Sequence, residues 1–401
     1  MSGGHERVED RVLERVLVLN PGTTSTKLGV FTRAGEEMAR NIHHGDEEIE
    51  RFRGRPILER LEYRAARIES ALSEAGFTPK GKGTECWAAV AGRGGLLPPM
   101  DCGTYLVDDT MVEELRRARR GEHASNLGAV LALKFATAAG VKAYIVDPVT
   151  VDEWQECARL SGSPLVKRTF IGHALNTKAV ARRYAREQGR RYEEMRLIVV
   201  HMGSGVTVTA HRGGRMIDSN SIEEGPFGPD RTGSLPVREL IRLCFSGKMT
   251  EGELDRHVFG DGGLFAYLGT RDLMEVERRM DAGDRQAAAV FEAMAYQIGK
   301  ETGAMAAVLR GGVNGGKVDA VLVTGGMAHS ERLVARLRGF VEWIAPVAVY
   351  PGEDELRALA EGVFRVLDGE EEAKRMGESR DRGTKGPSEQ GNKGTSERVN
   401  E

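Results

Sequence analysis

Asn20 to Lys27 reads NPGTTSTK, in which Thr23, Thr24, Ser25 and Thr26 place four hydroxyls in a row before a single lysine. Backbone N–H groups, hydroxyls and one ammonium can together replace the hydration shell of a phosphate. A solvated Ser/Thr-rich turn is the plainer alternative. The run is not a P-loop, because GxxxxGK[ST] is missing and a strand-like segment follows the lysine. A second Gly/hydroxyl turn lies at His201-Met202-Gly203-Ser204-Gly205. A third lies at Thr324-Gly325-Gly326-Met327-Ala328, where glycines allow a flat ring to lie against the main chain. Two arginines could serve anions: Arg93, bracketed by Gly92, Gly94 and Gly95, and Arg231, within the long Gly/Pro-rich run 218–236. Asp147 before Pro148 and His173 after Gly172 are further candidates, although each alone fits a turn or a structural position.

Apolar runs must position these groups. Val16-Leu17-Val18-Leu19 and Leu28-Gly29-Val30-Phe31 flank the first turn, and Leu197-Ile198-Val199-Val200 and 206–210 flank the second. Both read as strand, polar hairpin, strand. Trp87 to Ala91 predicts a strand that empties into Arg93, Ala143 to Val146 one that delivers Asp147, and Val318 to Val323 one that leads into the third turn. Ligands in α/β sheets gather at such strand ends. Helical spacing marks 56–75, 287–309 and 356–367. The repetition predicts an α/β fold of two similarly built domains, with mixed sheets flanked by helices around a cleft. Residues 1–167, completed by a helix at 355–368, form one domain and 168–354 the other. The run 369–401, whose large apolar residues are only Met376 and Val399, reads as a disordered charged tail.

Composition narrows the function. With 57 Lys plus Arg against 60 Asp plus Glu, the net charge of −3 offers no field for nucleic acid or an anionic membrane. Arg182-Arg183 with Arg186, Arg190 and Arg191 reads as a solvated helix face. Cys86, Cys102, Cys157 and Cys244 lack CxxC spacing, which argues against zinc or a disulfide framework and suits a cytoplasmic setting. No apolar run approaches a membrane span. GFTPKGKG at 76–83 misses a P-loop, with Gly83 in place of Ser or Thr.

Three phosphate or adenosine edges in this order resemble the acetate and sugar kinase, Hsc70 and actin superfamily. NPGTTSTK, HASN, VDP, HALN, HMGSG, EEGPFGPDRTG, TGGMAHS and the closing PGEDE resemble, jointly, the butyrate kinase branch of the acetokinase family over residues 12 to 367. The resemblance implies actin-like ATPase domains around a nucleotide cleft and reversible ATP:carboxylate phosphotransfer to butanoate or a branched relative. Acetate or propionate phosphorylation, or a nucleotide-driven binding protein without metabolite chemistry, are the alternatives. It implies phosphate contacts from Asn20, Thr23, Ser25 and Lys27 and from His201, Gly203, Ser204 and Gly205. Arg271-Asp272 with Gly325, Gly326 and Met327 would border the adenosine. Arg93, Arg231 and a protonated His173 would surround the transferred phosphoryl, and Asp147 would orient an arginine or the metal. Mg²⁺ would lie near Asn20 and the Glu353-Asp354-Glu355 cluster, with Glu353 and Glu355 as candidate ligands. A homo-oligomer is implied as well. Gly94, Gly95 and Gly172, where acetate kinases look bulkier, predict a pocket enlarged for an acid longer than acetate.

Overall fold

The computed structural model describes residues 14–45, 50–52, 54–78, 87–221, 223–311 and 315–377. Most of the 76–83 run, Cys86 and residues 378–401 of the expected tail lie outside these. Among the described residues no helix is long and apolar enough to cross a membrane.

The apolar runs form strands of two sheets. In the first, β1 (Arg15–Pro21), β2 (Ser25–Thr32) and β3 (Gly35–His43) make an antiparallel meander. β4 (Trp87–Gly92) and β6 (Lys142–Val146) run parallel to β1, and β5 (Thr104–Leu106) closes the edge antiparallel, in the order β3-β2-β1-β4-β6-β5. The second sheet repeats this plan. β7 (Arg196–Met202), β8 (Val206–Arg212) and β9 (Arg215–Ser219) form the meander, while β10 (Ala320–Gly325) and β11 (Val347–Pro351) continue parallel to β7, in the order β11-β10-β7-β8-β9. β1, β7 and β10 have apolar residues buried on both faces, which is why they read as unbroken hydrophobic runs.

The helices that bear on the cleft are α1 (Leu61–Glu74), α2 (Asn126–Ala139), α3 (Ala174–Glu187), α4 (Val237–Cys244), α5 (Glu251–Val258), α6 (Leu273–Asp281), α7 (Arg285–Arg310) and α8 (Glu355–Leu367). α8 crosses back to the first sheet. Its Leu359, Val363 and Phe364 pack on Val16, Val18, Ala91, Tyr144 and Val146. Leu359 and Val363 are fully buried, each contributing roughly 1.5–3 kcal/mol. Residues 369–377, expected in a disordered tail, are instead ordered: Lys374 N donates to Thr104 O at 2.9 Å and Leu106 N to Lys374 O at 2.8 Å. The edge of β5 offered unpaired backbone groups, and a polar segment with few apolar side chains can satisfy those as well as any other.

The first hairpin is fixed by a residue that its own sequence does not contain. Arg64 of α1 is fully buried, and its guanidinium donates to Gly22 O at 3.0 Å, Ser25 O at 3.2 Å, Thr23 O at 3.2 Å and Thr26 Oγ1 at 2.9 Å. His44 Nε2 lies 2.9 Å from the same Thr26 hydroxyl. Burial, and then the positive charges of Arg64, Arg67 and Arg60, push the His44 pKa down to about 4. The unfolded chain therefore takes up a proton near the ordinary value of 6.5 while the folded one does not. His44 should therefore cost stability as pH drops from about 6.5 to about 4 and add no further change outside that window. Urea titrations across that range should show a decline that is shallower in His44→Gln than in the wild type, the other buried histidines keeping their share; an unchanged slope in the variant would assign the pH dependence elsewhere.

Candidate active site

The ends of β1 and β4 and the start of α8 meet at one carboxylate. Asn20 Nδ2 donates to Glu355 Oε2 at 2.6 Å. Arg93, 8% exposed, brings Nη1 within 2.9 Å of Glu355 Oε1, an ion pair lying off the N–H axis. The Arg93 main-chain N–H donates to Leu19 O at 2.9 Å, so the guanidinium is carried at a fixed height above the first hairpin. Lys27 and Thr23 are exposed at that hairpin.

On the opposite sheet, His201 is fully buried with Nδ1 at 2.8 Å from Asn176 Oδ1 of α3 and Nε2 at 3.2 Å from Glu353 Oε1. The His201 contact holds the Glu353 carboxyl below the ordinary carboxylate range. A Cβ at Gly203 would come within 2.8 Å of Glu353 Oε1 and 2.9 Å of His201 Nε2, so only glycine leaves that pair its space. Gly205 has the same role for Arg231, whose Nη1 would meet an added Cβ at 2.7 Å. Arg231 reaches a carboxylate only at 3.8 Å, on Asp230, and its Nη1 is buried with no hydrogen-bond partner among the described residues. Desolvation lowers its pKa. A buried donor left unpaired costs free energy that a bound anion would return.

His173 stacks on His201 with ring centroids 3.8 Å apart and 15° between planes, and its Nδ1 lies 2.9 Å from Thr207 Oγ1. Burial, then His201, Arg231 and Arg93, hold its pKa well below 6.5. The imidazole is therefore neutral at pH 7, which corrects the expectation of a protonated His173; three positive or potentially positive neighbours disfavour another charge. His123 belongs to the same field. Ser125 N donates to its Nδ1 at 3.2 Å, and burial, Arg93 and Arg231 lower its pKa. HASN stood out as a motif, but nothing in its spacing places His123 near either arginine.

Asp147 lies with other partners. It is fully buried with a left-handed φ of 39°; Oδ1 accepts from Gly103 N at 2.8 Å, and Oδ2 lies 2.7 Å from Arg182 Nη1. Burial alone would raise its pKa, but Arg182 and Lys178 outweigh this and lower it. Asp147 thus holds Arg182, and neither of the two arginines expected at the transferred phosphoryl. The reading of Arg182 as part of a solvated helix face is overturned, because a helical arginine with a long stem can turn its head back to a buried carboxylate. Beside this pair Lys178 and Glu153, both buried, lie 2.7 Å apart, and Glu153 Oε2 also accepts from Met216 N at 3.0 Å.

The glycines expected to enlarge an acid pocket do not do so. A Cβ on Gly94 would meet Pro148 Cβ at 2.5 Å, and one on Gly95 would meet Asn126 Oδ1 at 2.5 Å. At Gly172 the ring edge of Phe170 already stands 2.6 Å from that position. Packing has refilled the space that the missing side chains released.

The third turn borders a cavity of about 860 Å³ lined by Arg271, Asp272, Met274, Gly326, Met327 and Ser330 among others. Gly326 leaves its Cβ side open, with nothing within 4 Å. Gly325, at φ 92°, instead lets β10 approach β7, since a Cβ there would strike Met202 O at 2.4 Å. Asp272 caps α6 through Met274 N at 2.9 Å. Among the described residues no three His, Cys, Asp or Glu side chains gather into a preformed metal cage.

A model of the acetokinase family matches residues 164–341. A "probable butyrate kinase" of Clostridium botulinum (strain Alaska E43 / Type E3) is 46% identical over 362 residues, covering 90% of this chain and 99% of that protein. "Butyrate kinase 2" of Clostridium acetobutylicum is 46% identical with the same coverage. Among solved structures, Porphyromonas gingivalis acetate kinase superposes with a TM-score of 0.70 at 18% identity, covering 88% of this chain and 100% of that one. A propionate kinase from Francisella tularensis gives 0.66 at 14% identity, covering 87% and 99%. These two show a shared fold of paired sheets flanked by helices, and the identity and coverage of the clostridial relatives show that the chain belongs to the acetokinase family.

Proposed function

We propose that the cleft transfers the terminal phosphoryl group of ATP in line to a short-chain carboxylate, butanoate or a branched relative, giving acyl phosphate and ADP reversibly. Arg231 carries this reading: a buried guanidinium with an unpartnered Nη1, sharing its field with Arg93 and His173, is a receptor awaiting an anion. The clostridial butyrate kinases, 46% identical over nearly their whole length, supply the acceptor class.

A carboxylic acid with a pKa of about 4 to 5 is already an anion at neutral pH, so the nucleophile needs no base. The barrier lies in bringing that anion to a triphosphate. Arg93 and Arg231 offset the repulsion, and neutral His173 contributes a hydrogen bond: in the tautomer in which Nδ1 accepts from the Thr207 hydroxyl, its proton would sit on Nε2, available to a phosphoryl oxygen. Asn20, Thr23, Ser25 and Lys27 would hold one side of the phosphate chain, and His201, Gly203, Ser204 and Gly205 the other. Asp272, Gly325, Gly326 and Met327 would receive the adenosine. Asp147 keeps its proton-free carboxylate on Arg182 and takes no part in proton transfer.

Mg²⁺ fits the oxygen donors of Asn20, Glu353 and Glu355, since this ion is usually bound by one or two carboxylates with phosphates and water. Glu355 spends both oxygens on Asn20 and Arg93, whereas His201 engages Oε1 of Glu353, so Glu353 is the better ligand. When bound with the nucleotide, the ion would neutralise charge on the phosphates. Cleft closure between the halves 1–167 and 168–354 would exclude water from the phosphoryl group. The free thiols Cys102, Cys157 and Cys244 suit a reducing cytoplasm.

Copies of the chain would meet through α4, which buries none of its residues: Val237 is 69% and Ile241 53% exposed, and Phe245 just after the helix is 88% exposed. An apolar helix face of that kind is normally covered.

Mg·ATP-dependent acyl phosphate formation, trapped with hydroxylamine across acids from acetate to isovalerate, should peak at four or five carbons. A peak at acetate would retain carboxylate phosphorylation and remove the chain-length assignment; no product with any acid would remove both. Arg231→Ala should lower kcat by roughly 10² or more, because its contacts strengthen as charge develops on the phosphoryl; an effect confined to KM would contradict this. With Phe170 filling the space at Gly172, Phe170→Ala should shift the peak toward longer acids, and an unmoved profile would place the pocket wall elsewhere. Sedimentation velocity should report smaller assemblies for Ile241→Glu/Phe245→Glu than for the wild type, and equal sizes would exclude α4 as the contact.

A further inference from the structure

A second concentration of positive charge lies away from the cleft. A cavity of about 550 Å³ opens between α3 with the turn after it and the end of α8 with the segment behind it. Arg182, Arg186, Arg190 and Arg191 line one side, Arg365 and Lys374 the other, against the three carboxylates Glu193, Glu370 and Glu371. Some of this charge is committed. Arg182 is paired with Asp147 at 2.7 Å and Arg190 with Asp319 at 2.8 Å. Glu371 is committed too, accepting from Thr104 N through Oε1 and from Arg365 Nε through Oε2 at 2.8 Å.

The rest is matched only in part, Arg365 included, since Glu371 takes its Nε alone. Arg186 reaches Glu361 only at 3.7 Å and Arg191 reaches Glu193 only at 3.5 Å, both longer than a charge-assisted hydrogen bond, and the two side chains are 67% and 75% exposed. Lys374 Nζ donates to a neutral acceptor, Cys102 O. Arg365 Nη2 is buried with no hydrogen-bond partner among the described residues. Four cations thus keep donors that close carboxylates do not satisfy, in a concavity within the usual size range of small-molecule sites.

From this we infer that the cavity is a binding site for a compact, multiply charged phosphate-type anion, separate from the catalytic cleft. Guanidinium forks match phosphate oxygens two at a time, and a lining dominated by charged side chains offers nothing to an acyl chain. Six cations confined to one concavity suit a small polyanion better than an extended nucleic acid, which needs a continuous basic track. The walls draw on both halves: the α3 side packs on the second sheet through Val180, Ala181 and Ala185, with Leu175 reaching the core under α8, while Arg365, Lys374 and Gly103 belong with the first. An anion seated here favours whichever relative placement of the halves brings both walls to it. Its affinity is consequently coupled to the closure of the cleft, and by reciprocity to nucleotide binding.

The test uses inorganic pyrophosphate as the probe, titrated by calorimetry into the full-length chain with excess Mg²⁺ and saturating ADP to fill the cleft. One additional pyrophosphate should bind, weakening with added salt. Arg186→Glu/Arg191→Glu, two exposed positions outside the catalytic machinery, should weaken it roughly tenfold or more, and the milder Arg186→Gln/Arg191→Gln by less. The cleft variant Arg231→Ala should leave this binding unchanged. No heat with ADP present, equal affinity in the charge-reversed variant, or loss of binding in Arg231→Ala would each overturn the site.

Discussion

Burying positive charge that neighbouring carboxylates offset only in part is the constraint around which the cleft is built. Arg231 keeps Nη1 buried and unpartnered among the described residues, and Arg93 is almost wholly buried against Glu355 alone. Such an arrangement opposes folding, and it is tolerated because the surrounding structure over-determines it. Gly205 removes the side chain that would collide with Arg231, and the strand β4 is anchored to β1 directly below Arg93. The same field decides the histidines. His173 and His123 are both driven toward their neutral forms partly by the two arginines, so the cleft presents two fixed cations and neutral donors around them. For a reaction between two anions this division is useful: the cations attract, while the neutral imidazole donates a proton in a hydrogen bond without tending to release it.

The two meanders show how one plan is adapted to two tasks. Both are antiparallel hairpins flanked by parallel strands, but they are secured differently. The first is gripped from behind by Arg64, which occupies the backbone carbonyls of Gly22, Thr23 and Ser25 and leaves Thr23 and Lys27 facing outward. The second is secured through its own His201, which meets Asn176 of α3, and its glycines admit the side chains of other segments. One hairpin therefore offers its own tip, and the other offers space.

Much of this was legible in the sequence because it depended on local pattern. Continuous apolar runs marked β1, β7 and β10, and polar turns between them marked the hairpins, since burial on both faces and tight turning each constrain residue type. What was not legible depended on where long side chains end. Arg182 sits in a basic run that read as solvent-facing, yet its head returns to the interior, and Arg64 was not singled out at all; residue type and spacing do not record where such a side chain ends. The glycines at 94, 95 and 172 misled for a related reason. A missing Cβ signals free volume only if nothing else moves in, and Pro148, Asn126 and Phe170, distant or adjacent in sequence, had done so. Protonation of His173 was equally out of reach, because it is set by burial and by neighbours contributed from three separate segments.

The helix α8 joins these features mechanically. Its first residue, Glu355, ties Asn20 and Arg93 together, and the preceding Glu353 approaches His201 on the other sheet. Near its other end Arg365 enters the cationic cavity beside Arg182, whose partner is Asp147. A carboxylate at the N-terminus and an arginine in the last turn both agree with the helix dipole, so neither end strains the element that carries it. Its 13 residues span about 20 Å, and its apolar face is clamped on the first sheet by Leu359 and Val363. A helix whose middle is buried in this way moves with the sheet it covers. Any shift of the second half relative to the first must then be felt at both ends of α8, as a change in the Glu353–His201 distance in the cleft and in the Arg365–Arg182 separation in the cavity.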